Sequence, residues 1–184
     1  MEDRRIIMSG FGGQGIMVMG ELTANAGLLE GKHVTWMPSY GPEMRGGSAN
    51  CAVVISEEEI GAPNISKATD LIVMNMPSLI KFEHSLIPGG NLFINSSLVD
   101  GEPTRSDIHV YKIPVNEIAQ NLGNSKVSNM VMLGAFISVT GFLPKQSILD
   151  SFLSIYGERK RKLLPLNEKA YDAGEEAAKH NAMA

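Results

Sequence analysis

The stretch Ser9-Gly10-Phe11-Gly12-Gly13-Gln14-Gly15-Ile16 decides how the rest of the chain is read. Gly10, Gly12 and Gly15 match G-x-G-x-x-G, and Gly13 adds a fourth glycine within six positions. The run Arg4 to Ser9 before it is short and apolar, which predicts a buried strand. After it, Ile16, Met19, Leu22, Ala26 and Leu29 fall at three- and four-residue steps, which predicts a helix over 15–29, closed by Gly31. His33 to Met37 then reads as a second strand that runs into Pro38. The glycines therefore sit in the first strand-to-helix turn of a β-α-β start.

Outward from that unit the pattern repeats. Ser48 to Ser56, Asp70 to Asn75, Asn91 to Leu98 and His109 to Pro114 read as strands, with a helix over 78–86 and a Gly89-Gly90 turn. Helices are then predicted over 115–123, 125–140, 144–157 and 167–183. Short apolar strands alternating with helices imply an α/β fold: a single Rossmann-like domain over 1–184. Its sheet is mostly parallel and helix-covered, and its C-terminal extension is helical. There is no internal repeat and no composition shift that marks a domain boundary.

Bulk properties exclude several classes of function. A net charge of −4 argues against nucleic acid as a partner, because phosphate backbones require basic surfaces. The one basic run, Arg159 to Lys162, reads as a solvated helix end or linker. No stretch approaches the length of about 20 apolar residues that spans a membrane, and Met1 to Gly13 has no signal-peptide core; a cytoplasmic protein is expected. Cys51 is the only cysteine, so the chain holds no iron–sulfur cluster, structural zinc or internal disulfide. Inside Ala49-Asn50-Cys51-Ala52-Val53-Val54-Ile55 it reads as a buried hydrophobe. His33, His84, His109 and His180 are scattered and form no catalytic grouping.

The glycine turn alone leaves several readings open. A dinucleotide site also calls for an acidic residue at the end of the second strand, and Met37-Pro38-Ser39 supplies none. No Gly-Lys-Ser/Thr follows the glycines, so a P-loop is excluded. What remains is tight strand–helix packing, or backbone N–H groups that meet an anion or a partner chain. Gln14 would add a neutral donor and acceptor at the rim of such a site. A second irregular loop, Ser39 to Ser48, leaves the carboxyl end of the second strand and presents Tyr40, Glu43 and Arg45 between Gly41, Pro42, Gly46 and Gly47. Ligands of open α/β sheets bind along that edge. Arg45 either grips a phosphate or carboxylate with its planar fork or pairs with Glu43 to brace the loop. Asn129, early in an apolar helix, is either a site residue or a satisfied core amide.

Taken together, GFGGQGI and PSYGPEMRGGSANC resemble the gamma subunit of the 2-oxoacid:ferredoxin oxidoreductases. The resemblance continues through DLIVMNMPSLIKFE, PGGNLFINSSL and NSKVSNMVMLGA, about Arg4 to Gly141. It implies one component of a heteromeric enzyme that decarboxylates a 2-oxoacid oxidatively, with coenzyme A as acyl acceptor and ferredoxin as electron acceptor. Alpha and beta subunits would hold thiamine diphosphate and a delta subunit the iron–sulfur clusters. This sequence lacks the Gly-Asp-Gly start of a thiamine-binding chain. The resemblance assigns no catalytic residue and no metal ligand here. It carries coenzyme A or partner binding onto Gly12, Gly13, Gln14, Gly15, Tyr40, Gly41, Pro42, Glu43, Arg45, Gly46, Gly47 and Asn129. PSYGPEMRGGSANC leans toward the branched-chain or 2-oxoglutarate type. A homodimer that stands in for missing partners is one form open to the isolated chain. A free-standing nucleotide-binding oxidoreductase and a purely architectural subunit are the alternatives.

Overall fold

The computed structural model describes residues 3–40 and 47–181. Six strands form one sheet in the order β2-β3-β1-β4-β5-β6. They are β1 (Arg4–Phe11), β2 (His33–Tyr40), β3 (Ser48–Ser56), β4 (Ala68–Val73), β5 (Leu86–Asn95) and β6 (His109–Ile113). The helices are α1 (Ile16–Leu29), α2 (Met76–Phe82), α3 (Val115–Asn121), α4 (Ser128–Thr140), α5 (Lys145–Tyr156) and α6 (Leu164–Asn181). The α/β class and the mostly parallel sheet expected from the sequence are observed. β1, β4, β5 and β6 pair in parallel, while β3 runs antiparallel to both its neighbours, β1 and β2.

The position of β3 changes the β-α-β start. β1 and β2 point the same way but are not adjacent, because the β2–β3 hairpin folds back and inserts β3 between them. β2 also continues through Pro38 to Tyr40, three residues past the expected end at Met37. It is the outermost strand, and an edge strand tolerates a residue without an N–H. Likewise β5 begins at Leu86 and ends at Asn95, so Gly89-Gly90 lies within it rather than before it. There the pairing with β4 jumps from Ala68↔Leu86 to Asp70↔Asn91. Gly89 sits at φ +74° in the extra residues, and a Cβ on Gly90 would lie 2.9 Å from the Thr69 carbonyl.

Burial follows the alternation of the strands. Ile6, Met8, Cys51, Val53, Ile72 and Phe93 face one side, against α1, α3, α4, α5 and α6. Ile7, Leu71, Val73, Leu92 and Ile94 face the other, where α2 contributes Leu79. β4 is covered on both sides and every residue of it is buried, as expected of a central parallel strand. α1 ends as predicted: Gly31 at φ +73° donates to Leu28 O, and the Lys32 amide donates to Gly27 O, a Schellman closure. Leu29, expected on the buried stripe, is exposed together with Leu28 in that last turn.

The C-terminal helices are part of the domain core. α4 is buried on all sides from Ser128 to Ile137, between the sheet and α6. α6 starts at Leu164 rather than Asn167, with Pro165 in its first turn, where no N–H is missed. The basic run Arg159 to Lys162 is an exposed 3-10 turn before it. No helix among the described residues is long and apolar enough to cross a membrane.

Candidate functional site

The glycine turn is held by its own glutamine. At the carboxyl end of β1, the Gln14 amide N–H donates to Phe11 O at 3.2 Å. Its side-chain Oε1 accepts from the Phe11 N–H at 2.6 Å, and its Nε2 donates to Met74 O, just past β4, at 3.0 Å. Gln14 therefore spans the ends of β1 and β4, where the strand order reverses and a doubly wound fold places its ligand. Gly10 makes room for it, because a Cβ there would lie 2.4 Å from Gln14 Oε1. The sequence reading puts a neutral donor and acceptor from Gln14 at the rim of the site; in the structure the acceptor is engaged by the Phe11 N–H and the donor by Met74 O.

The second loop meets the first. Gly12 N–H donates to Gly47 O at 2.9 Å, and Phe11 stands opposite Ser48 in the β1–β3 pairing. Tyr40, the last residue of β2, is 71% exposed beside them. Gly41, Pro42, Glu43, Arg45 and Gly46 lie outside the described residues. The structure thus brings Gly12, Gly13, Gln14, Gly15, Tyr40 and Gly47 to one edge of the sheet.

Asn129 joins this edge from below. Gly15 is the N-cap of α1 at φ +75°, and a Cβ on it would lie 2.6 Å from Asn129 Nδ2. Asn129 is only 7% exposed, with its side-chain amide set against the Gly15 backbone. α1 has neither a side-chain cap nor an acidic residue in its first turn. Its first amides and the positive end of its dipole are therefore left for an outside group.

Sequence reasoning missed a polar bed beside the turn. Asn75 caps α2 by accepting from the Ser78 N–H at 2.9 Å, and the Ser78 and Ser9 hydroxyls are 2.8 Å apart. Asn95 Nδ2 donates to Asn116 Oδ1 at 2.9 Å, and Ser97 Oγ accepts from the Asn116 and Glu117 N–H groups. The available signal was an asparagine closing each of the runs DLIVMN and NLFIN, a residue that favours turns and helix starts.

No described residue of this edge is a cysteine, a histidine or a carboxylate. Cys51 is 1% exposed, its Sγ donates to Ile16 O, and burial pushes the thiol up to about 12, against a smaller opposite effect of Trp36. No group of three or more His, Cys, Asp or Glu among the described residues is placed to hold a metal. The described part of the edge offers backbone donors, an amide and a glycine-shaped surface, groups suited to binding.

Comparison with known proteins gives this edge a context. The family described as pyruvate ferredoxin/flavodoxin oxidoreductase matches residues 5–177. The chain belongs to that family. The match runs well past Gly141, where recognisable motifs end, and so takes in α5 and most of α6. The ketoisovalerate oxidoreductase subunit VorA of Methanothermobacter thermautotrophicus is 35% identical over 179 residues, 96% of this chain but 37% of VorA. The chain thus spans under two fifths of that relative's length. The 2-oxoglutarate synthase subunit KorC of Methanocaldococcus jannaschii is also 35% identical, over 94% of this chain and 95% of KorC. Among solved structures, the keto/oxoacid ferredoxin oxidoreductase gamma subunit of Geobacter sulfurreducens superimposes with a TM-score of 0.81 at 30% identity. That match covers 96% of this chain and 99% of the Geobacter chain.

Proposed function

We propose that this chain is the gamma-type component of a heteromeric, cytoplasmic 2-oxoacid:ferredoxin oxidoreductase, acting over residues 1–184 as one Rossmann-like domain. It supports coenzyme A-dependent oxidative decarboxylation of a 2-oxoacid. Thiamine diphosphate sits in alpha and beta partners, the iron–sulfur clusters in a delta partner, and ferredoxin takes the electrons. The observation that carries the reading is the family match over 5–177, in a chain whose two loops are joined by the Gly12–Gly47 hydrogen bond. The relatives named for ketoisovalerate and 2-oxoglutarate support a substrate of branched-chain or 2-oxoglutarate type.

In this reading the glycine-turn edge faces the shared site. The uncapped start of α1 and the buried Asn129 amide suit an oxyanion such as a coenzyme A phosphate. Arg45 would supply the charge, with Tyr40, Glu43 and the glycines Gly41, Gly46 and Gly47 shaping the approach beside Pro42. A free-standing dinucleotide enzyme is disfavoured, because Gln14 fills the strand-order reversal that a pyrophosphate would need. The test is affinity purification of the tagged chain from its own cytoplasm, followed by assay. Co-purification of a thiamine-binding pair and a cluster-bearing subunit is expected, with turnover only in the complex. Turnover by the isolated chain would overturn the proposal. In the reconstituted complex, Arg45→Ala should raise KM for coenzyme A; altered assembly with unchanged KM would favour the architectural alternative.

A further inference from the structure

A cleft of about 300 Å³ opens on the face of the sheet that α2 covers, opposite α4. One wall is apolar and comes from α2: Met76, Leu79 and Ile80. The other is the segment 102–105, on the way from β5 to β6. Gly101 seats that segment against the helix, since a Cβ on it would lie 2.5 Å from Met76 Cε. Ile80 is 69% exposed, so the cleft opens to solvent beside it.

The polar group in this cleft is a buried carboxylate. Glu83 lines it and is only 8% exposed. The Thr104 hydroxyl at 3.1 Å and the Arg105 N–H at 2.8 Å both donate to one oxygen, Oε1. Among the described residues no donor reaches the other oxygen, Oε2, and no ammonium or guanidinium pairs with Glu83. The cations nearby are engaged elsewhere. Arg105 gives its guanidinium to both oxygens of Asp107 and to Leu86 O. Lys112 pairs with Glu102, the second carboxylate in the lining, and the Lys81 ammonium stands 5.0 Å over the Phe82 ring. Once those pairs are formed, the charge of Glu83 is left over. The helix end adds to it, because Glu83 follows the last residue of α2 and meets the negative pole of the helix. Two neutral hydrogen bonds on a single oxygen only partly offset the loss of water around a carboxylate.

We infer that the α2 cleft binds a small aliphatic ammonium ligand. Its charged head donates to Glu83 Oε2, and its carbon chain lies on Leu79, Met76 and Ile80. An uncharged alkyl chain would leave the carboxylate unpaired, and a bare inorganic cation would leave the apolar wall in water. The two halves of the cleft together select the class. The inference does not depend on the proposed subunit role, because the whole cleft is built from this chain.

The test uses the full-length chain, isotope-labelled and followed by its amide resonances at pH 8 and constant ionic strength. It is titrated with n-butylammonium chloride, with n-butanol and with ammonium chloride. Butylammonium should shift the amides of 79–84 and 102–105 saturably and bind at least about tenfold more tightly than either control. Glu83→Gln, which keeps an acceptor for Thr104 and Arg105, should weaken butylammonium about tenfold and leave butanol unchanged. Should that variant fail to fold, Ile80→Ala at the exposed wall should weaken butylammonium and leave the ammonium ion unchanged. Butanol binding as tightly as butylammonium, or no saturable shift with butylammonium, overturns the inference. Undiminished binding of butylammonium by a folded Glu83→Gln or Ile80→Ala chain overturns it equally.

Discussion

The glycine turn and the α4–α6 crossing both depend on glycine, for different physical reasons. In the turn, Gly13 and Gly15 hold φ of +95° and +75°, a region L-residues avoid, and Gly10 leaves space for a side chain, Gln14. At the crossing, the backbone conformations are ordinary helix. There a Cβ on Gly134 would lie 2.0 Å from Tyr171 O, and one on Gly174 1.8 Å from Val131 O. The turn needs glycine for the path of one chain, and the crossing needs it for the approach of two. A side chain can yield to a new methyl group, whereas two packed helices must separate along their length.

That contrast orders the expected effects. Gly134→Ala should be the most damaging, costing about 3 kcal/mol through overpacking of backbone on backbone. Thermal unfolding would show it as a fall in Tm of about 10 °C; a smaller loss than in the turn variants would break the comparison. Gly15→Ala comes next at about 2 kcal/mol, from the left-handed backbone plus the Asn129 contact. Adding Asn129→Gly should recover only the contact part, and chemical denaturation of both variants measures that coupling. Gly13→Ala, with nothing within 4 Å of its Cβ, should cost about 1 kcal/mol, the backbone contribution alone.

Two smaller effects sharpen the same contrast between packed interior and surface. Cys51 lies under α1 with its thiol pushed up to about 12. Iodoacetamide at pH 8 should leave the folded chain unlabelled and label it once denatured; labelling of the native state would show that the packing opens. At the surface, a hydrogen bond from Arg105 holds the Asp107 carboxyl below its ordinary 3.8. A depressed carboxylate contributes stability above that value and loses it as the pH falls through the folded pKa. Asp107→Asn should therefore unfold slightly earlier than the wild type at pH 6, with the gap closing below pH 3.8. A gap that persists at pH 2 would refute the ion-pair account.

Much of the fold was legible because it is local. The Arg4–Ser9 run, the glycine turn and the spacing of Ile16, Met19 and Leu22 specify β1 and α1 without reference to the rest of the chain. The insertion of β3 was not legible. Val53, Val54 and Ile55 are all buried, so SANCAVVIS reads like any central strand, and its antiparallel direction depends on the return of the loop after Tyr40. Pro38 hid the end of β2, since an edge position admits what a central one forbids. At the candidate site the two loops could be placed on one edge from chain order alone. The use of Gln14 could not, because its acceptor is Met74 O, sixty residues away. The tail past Gly141 carries its information in Ala170, Gly174 and Ala178, small residues shaped to α4 rather than a motif.

The place of β3 in the sheet also sets an order of events as the chain is made. The β2–β3 hairpin is closed by neighbours in sequence and can form early. β1, synthesised before either, lies between β3 and β4, so its flank toward β4 stays open until β4 has left the ribosome. Ile7, on the face covered by α2, has no second layer until α2 follows β4, and this is the interval in which a nascent chain is most exposed to wrong pairing. The groove at Gly134 waits longer still, for α6, which is made after α4 and α5. A chain cut short before residue 164 would keep its sheet and its glycine turn yet expose the most buried helix of the molecule.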